Sequence, residues 1–261
     1  MLFRQHRGEI LKISSGIMAY EWLLTWVYPI VSKNPAVTEI AESIPSAVKT
    51  VFGVSDQAPV DTFEAFISAQ FFARIWTLLL ALYGVNTATS LLAGSIEDGT
   101  LAIPLATPIS RSALLATQAG VLTSANGVLM GATLLGLFSG TARFKIKIEH
   151  WRYCRMSLLG FAFFSVISMY SFLFSAWFPE KERALAYAAG LTLAFYGLDI
   201  IGGLSEKLSW VRKLSLFQCF QPQEVLEDRI DPGRQILGLT GGAIILWLLA
   251  QRILEEKDLV L

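Results

Sequence analysis

The sequence predicts an all-α membrane protein: six transmembrane helices, an N-terminal amphipathic interfacial helix, and a short helix between spans two and three. Three observations predict it. Only 16% of the 261 residues are charged and 54% are apolar, with a mean hydropathy of +0.53, whereas soluble chains carry about a quarter charged residues. Six apolar stretches, approximately 15–32, 66–95, 113–140, 156–178, 184–204 and 235–252, approach or exceed the roughly 20 residues that cross a hydrocarbon core as a helix. Alternating ten-residue strands are absent, so helices must satisfy the backbone in lipid. The 21 basic and 21 acidic residues balance to zero, leaving no basic footprint for nucleic acid.

Each element has its own warrant. Residues 1–14 place Leu2, Phe3, Ile10, Leu11 and Ile13 with Arg4, Arg7 and Lys12, a pattern suited to a helix lying in the headgroup region. The first span contains Glu21, Trp22 and Trp26, ends at Tyr28-Pro29 and lacks a small-x-small site, so it reads as a retained helix and not a cleaved signal. Residues 33–63 carry Pro35, Pro45 and Pro59 around Ile40, Ile44, Ala47, Val48, Val51 and Phe52 at helical spacing, predicting a surface helix on the outer leaflet.

The second span holds Gln70 and Arg74 toward its outer end and Asn86 deeper. Residues 95–112 then read as a short helix held between two turns. Glu97 and Asp98 suit a helix N-terminus, Gly99 permits a sharp turn, Leu101, Ile103 and Leu105 offer an apolar surface, and Pro108 ends the element before Arg111.

The third span contains Asn126 and the pairs Gly127/Gly131 and Gly136/Gly140; the sixth contains Gly238/Gly242. Small residues four apart let helices approach in lipid, here predicted mainly within one subunit. Phenylalanines at 161, 163, 164, 172, 174 and 178 crowd the fourth span and are expected to face lipid. Residues 179–183 form a charged turn into the fifth span, which carries Asp199. The connection 205–234, with Trp210, Phe217, Phe220, Pro222 and Pro232, suits a membrane interface.

Polar groups inside spans are functional candidates by default: Glu21, Gln70, Arg74, Asn86, Asn126 and Asp199. Helix pairing, snorkelling and interface hydration are their structural alternatives. Arg74 and Asp199 could pair, both lying toward the outer side. Arg4, Arg7 and Lys12 before the first span favour an inside N-terminus, but the basic stretch Arg143 to Arg155 then falls outside, so charge counting leaves orientation open. Cys154 and Cys219 are either two unpaired small residues or, in an oxidising compartment, a disulfide. The two histidines, His6 and His150, lie far apart and no Cys/His cluster exists, so no ordinary metal site is visible. No GxxxxGK[ST], GxSxG or HExxH occurs.

The stretch 95–112 resembles the signature of type-2 ABC transporter permeases: acidic residues, Gly-Thr, a leucine-rich turn, then Pro-x-Ser-Arg. Glu97, Asp98, Gly99, Thr100, Leu101, Thr107, Pro108, Ser110 and Arg111 match in order and spacing. The acids stand directly before Gly99, and Pro104 replaces a usual leucine. The basic start, Tyr28-Pro29, Ile44-Pro45 with Val51-Phe52-Gly53, Leu214-Ser215-Leu216-Phe217 and the charged tail from Glu255 to Leu259 are similar too.

The resemblance implies a single transmembrane domain over 1–261 at the plasma (inner) membrane, with both termini cytoplasmic. It further implies a second permease subunit, a copy or a related chain, and a separate ABC ATPase subunit, expected in two copies, that binds ATP and Mg. The element 95–112 would be the cytoplasmic coupling helix passing ATPase closure to the spans, and export the expected direction. This chain itself would bind no cofactor and catalyse no reaction. The alternative is an ion-gradient-driven carrier or channel without an ATPase, which would want paired midplane carboxylates or broken helices in a repeat. An intramembrane enzyme would need a convergent catalytic set; the spans hold no histidine and one aspartate.

Overall fold

A computed structural model describes residues 2–32, 62–72, 74–100, 110–204 and 206–256. Six long helices organise it: α1 (Leu2–Val31), α2 (Arg74–Thr89), α3 (Arg111–Phe144), α4 (His150–Trp177), α5 (Lys181–Leu204) and α6 (Gly233–Glu256). No strand occurs among the described residues. Five helices are long and apolar enough to cross a membrane: Trp76–Glu97, Ser112–Phe144, His150–Trp177, Lys181–Leu204 and Gly233–Glu256. The expected first span lies in α1, which is 30 residues long but more polar than those five.

The separate interfacial helix expected at 1–14 is not set off from that span. Helix α1 runs unbroken from Leu2 to Val31. Gly8 and Gly16 weaken a helix by about 1 kcal/mol each, which is too little to stop propagation, and the first proline is Pro29 near its end. The surface helix expected within 33–63 lies almost wholly outside the described residues.

Span two is built in pieces. Thr62 caps Phe63–Ile67, its hydroxyl accepting from the Ala65 amide at 3.3 Å. A π-helical turn at Ser68–Phe72 follows, then α2, a second π turn at Ser90–Gly94 and the short helix Ser95–Glu97. Single π turns insert a residue and rotate the faces on either side.

Helix α3 stops where Lys145 turns left-handed (φ 56°, ψ 35°) and the Ile146 amide reaches back to the Thr141 carbonyl at 3.0 Å, a closure that satisfies end carbonyls. Short connections at 145–149 and 178–180 make α3, α4 and α5 antiparallel neighbours.

Helix α4 is the centre, packed against α2, α3, α5 and α6, while α1 lies against α3. This overturns the expectation that the phenylalanines of α4 face lipid: Phe163, Phe164 and Phe172 are buried and Phe161 and Phe174 half-buried. The error has a physical cause. Lipid tails are as apolar as a protein interior, so hydrophobicity does not tell a lipid-facing side chain from a packed one. Rings run through the centre from Trp76 to Phe164 (5.7 Å), Phe164 to Phe220 (6.1 Å) and Phe220 to Phe163 (5.1 Å, stacked).

The connection 205–232 does not simply lie along the interface. It folds inward through short helical turns at Glu206–Leu208, Ser209–Arg212, Leu216–Cys219 and Pro222–Leu226. Phe217 reaches Phe163, halfway along α4, at 5.2 Å, and Tyr196 of α5 at 5.4 Å. The Ser215 hydroxyl donates to the Phe195 carbonyl at 2.6 Å. Its return is clamped by Arg155, which bonds Asp228 at 3.0 Å and Asp231 at 2.9 Å. Cys154 and Cys219 are free thiols, and burial pushes the Cys219 thiol up.

Candidate functional site

The chain reverses at the end of span two through a compact turn. The Asp98 amide bonds the Gly94 carbonyl at 2.9 Å and the Gly99 amide bonds Ile96 at 3.1 Å. Gly99 sits at φ 67°, a region open to glycine at no steric cost. The Thr100 hydroxyl closes the turn on the Ser95 carbonyl at 3.3 Å. Glu97, Asp98, Gly99 and Thr100 are all exposed.

Two members of the expected coupling set hold helix ends. Glu97 Oε2 accepts the backbone N–H of Lys181, the first residue of α5, at 2.8 Å. The first four amides of a helix lack intrahelical partners, so Glu97 caps α5 from another element and places a negative charge at its positive end. Gly94 lies against the Lys181 side chain, at the 3.4 Å contact a Cβ there would make. Ser110 caps α3: its hydroxyl accepts from the Ala113 amide at 3.2 Å, with extended backbone at Ser110 itself. Arg111 is the first residue of that helix. Leu101, Thr107 and Pro108, and the side chain of Arg111, lie outside the described residues.

The intramembrane polar groups separate into distinct environments. Glu21 is fully buried in the seam between α1 and α3, and among the described residues neither carboxylate oxygen has a hydrogen-bond partner. Gly136 makes that seam possible. A Cβ there would collide with Glu21 Oε2 and stand 3.1 Å from the Met18 Cα. One turn on, a Cβ at Gly140 would be 2.5 Å from the Thr25 hydroxyl, which bonds the Glu21 carbonyl at 2.9 Å. The Gly136/Gly140 pair therefore packs helices within the subunit, as expected, whereas Gly131, Gly238 and Gly242 have open space.

Asn126 is buried and donates to Ser168 of α4 at 3.1 Å, a helix-pairing role. Asp199 is buried and bonds Arg212 Nε at 2.9 Å. Arg212 comes close because α5 has glycine at 202, where a Cβ would stand 2.5 Å from the Arg212 amide nitrogen. The expected Arg74–Asp199 pairing rests on a side chain outside the described residues. Gln70 is exposed in the first π turn, its carbonyl accepting from the Tyr20 hydroxyl at 3.4 Å. Asn86, at the middle of span two, is exposed, and no hydrogen bond reaches its side chain among the described residues.

Sequence reasoning missed Lys181 and Arg212 as partners. Lys181 contributes its backbone, which leaves no signature. Arg212 lies in a connection whose composition gives no sign of its inward fold.

A bundle of at least five membrane-length helices, with short turns on either side of α4 and Glu97 and Ser110 as helix caps, defines a multi-pass membrane protein. Residues 20–245 match the family described as ABC-2 family transporter protein. The chain belongs to that family and is a membrane permease of an ABC transporter. A comparison with curated proteins finds no match.

Proposed function

We propose that the chain is the membrane half of an ATP-driven exporter, paired with a second permease subunit and worked by a separate ATPase. The carrying observation is the 2.8 Å bond from the Lys181 amide to Glu97. It joins the end of span two to the start of α5 at the border of the 95–112 element. A push on that element is thereby delivered to two spans at once, while Ser110 ties its far end to α3. Glu97, Asp98, Gly99, Thr100, Leu101, Thr107, Pro108, Ser110 and Arg111 form the contact element in this reading. ATP and Mg sit on the partner, consistent with a sequence lacking a phosphate-binding glycine loop. Both termini and the 95–112 element face the cytoplasm, and α1 is the first of six spans across the plasma (inner) membrane.

The translocation face follows from Asn86. An amide exposed to hydrocarbon without a partner costs several kcal/mol, so this side of span two meets a second subunit or an aqueous route. Leu79, 63% exposed and two turns away on the same face, extends it. Helices α5 and α6, most of whose apolar residues are not buried within the chain, leave further surface for that second subunit.

The test is purification in mild detergent followed by reconstitution. A co-purifying ATPase whose activity depends on this chain, lost on Glu97→Lys, supports the reading. Transport by the chain alone, driven by an ion gradient and indifferent to ATP, overturns it.

A further inference from the structure

The hairpin between α3 and α4, at the end of the molecule opposite Glu97, has two chemically different faces. Its residues 146–149 belong to no helix or strand, and their side chains divide between two sides. Ile146 and Ile148 turn inward onto the core, while Lys145 and Lys147 are exposed. Arg143, in the last turn of α3, is exposed as well. Lys145 holds the left-handed position where a helix end normally places glycine. A long cationic side chain is thus kept at the apex despite its backbone preference.

None of these three cations has a carboxylate partner among the described residues. The one acid on the hairpin, Glu149, is engaged by Arg152 at 2.8 Å. Arg155 and Arg229, the nearby arginines, are satisfied by Asp228, Asp231 and Glu227. Lys207, Lys213 and Arg234 are further exposed cations at that end, but Arg143, Lys145 and Lys147 fall within five consecutive residues and so concentrate charge on one hairpin.

Three indole rings lie at the same end of the helices. Trp22 packs edge-on against Phe144 and donates to Ser139 at 2.9 Å, fixing α1 at the level of the end of α3. Trp26, one turn further, is 53% exposed, and Trp151, in the first turn of α4, is 71% exposed. Tryptophan collects at headgroup depth because its ring is apolar and its N–H is polar. Arg143 lies over the Phe144 ring at 5.9 Å, and a cluster of cations with no carboxylate partner among the described residues fits a phosphate-bearing anion at that depth.

We propose that Arg143, Lys145 and Lys147 form a binding surface for the headgroups of anionic phospholipids in the adjacent leaflet. The phosphodiester meets the three cations, Trp26 and Trp151 flank it, and Ile146 and Ile148 hold the hairpin down. This surface is separate from the 95–112 element and independent of which way the chain faces.

The test is native mass spectrometry of the full chain titrated with phosphatidylglycerol or phosphatidylcholine. Each cation near a charged surface strengthens lipid attraction about fivefold. Arg143→Gln/Lys145→Gln/Lys147→Gln together should weaken phosphatidylglycerol retention on the order of 100-fold, and replacing both lysines by arginine should preserve it. Lys207→Gln/Lys213→Gln, exposed cations of the other connection at that end, should change nothing. Should the triple variant fail to fold, Lys147→Gln alone should show the single fivefold step. Equal retention of the two lipids by the natural chain, or unchanged retention in the glutamine variants, overturns the proposal.

Discussion

Glu97 and Lys181, 84 positions apart, meet through one hydrogen bond of 2.8 Å between a carboxylate and a helix-starting amide. Because the donor is backbone, exchanges at 181 other than proline leave it in place, and Glu97 is the side chain to vary. Glu97→Ala is expected to cost about 1 kcal/mol of stability, as for other lost caps. Glu97→Gln keeps an acceptor and should lose less. Chemical denaturation in detergent measures the first effect. ATPase stimulation in the reconstituted complex measures the second and should fall in the order wild type, Gln, Ala, Lys.

The α1–α3 seam allows a sharper substitution. Gly136→Ala forces either the Glu21 carboxylate or the Met18 backbone to move, an overpacking expected to cost about 1–3 kcal/mol. Glu21→Ala removes the side chain in the way but not Met18. The double variant should therefore regain part of the loss, read as a thermal melting temperature between those of Gly136→Ala and Glu21→Ala.

The Asp199–Arg212 bond holds the inward-folded connection on α5. The Asp199 side chain is 10% exposed and the Arg212 side chain 39%. Charge-assisted hydrogen bonds contribute about 1.5–3 kcal/mol, with the exposed guanidinium placing this one toward the low end. Arg212→Gln should make residues 205–232 more sensitive to limited proteolysis than the spans. Asp199→Arg/Arg212→Asp should restore part of the protection, and independent additive losses would show that the two do not act as a pair.

Cys219 gives a pH readout of the same connection. Only the thiolate is alkylated, and burial raises this thiol above its ordinary value of 9.0. Maleimide labelling of Cys219 in a Cys154→Ala background should be slow at neutral pH. It should climb about tenfold per pH unit through pH 9 without levelling. A plateau below pH 9 would mean that the thiol is not buried.

Much of the bundle was legible from hydropathy alone, because a bilayer fixes the length of a crossing helix. Five of the six apolar stretches correspond to membrane-length helices. The turn at Asp98–Gly99 was legible from glycine chemistry, since Gly99 takes the positive φ that the sequence suggested. The start of α1 was not, because Gly8 and Gly16 weaken a helix too little to divide it. The placement of α4 was not legible either: Phe163 and Phe172 have the same hydrophobicity whether buried or facing lipid. For the candidate site, Ser110 was legible as part of the Pro-x-Ser-Arg pattern but its capping of α3 emerged only from the structure, and the reach of Glu97 to Lys181 depends on how antiparallel helices end.

The most direct measurement is vesicle flux with the chain reconstituted alongside its ATPase, comparing wild type with Glu97→Lys. The account predicts ATP-dependent flux that the substitution abolishes while the permease remains folded and inserted. ATP-independent flux from the chain alone, or ATP-driven flux untouched by Glu97→Lys, would contradict it.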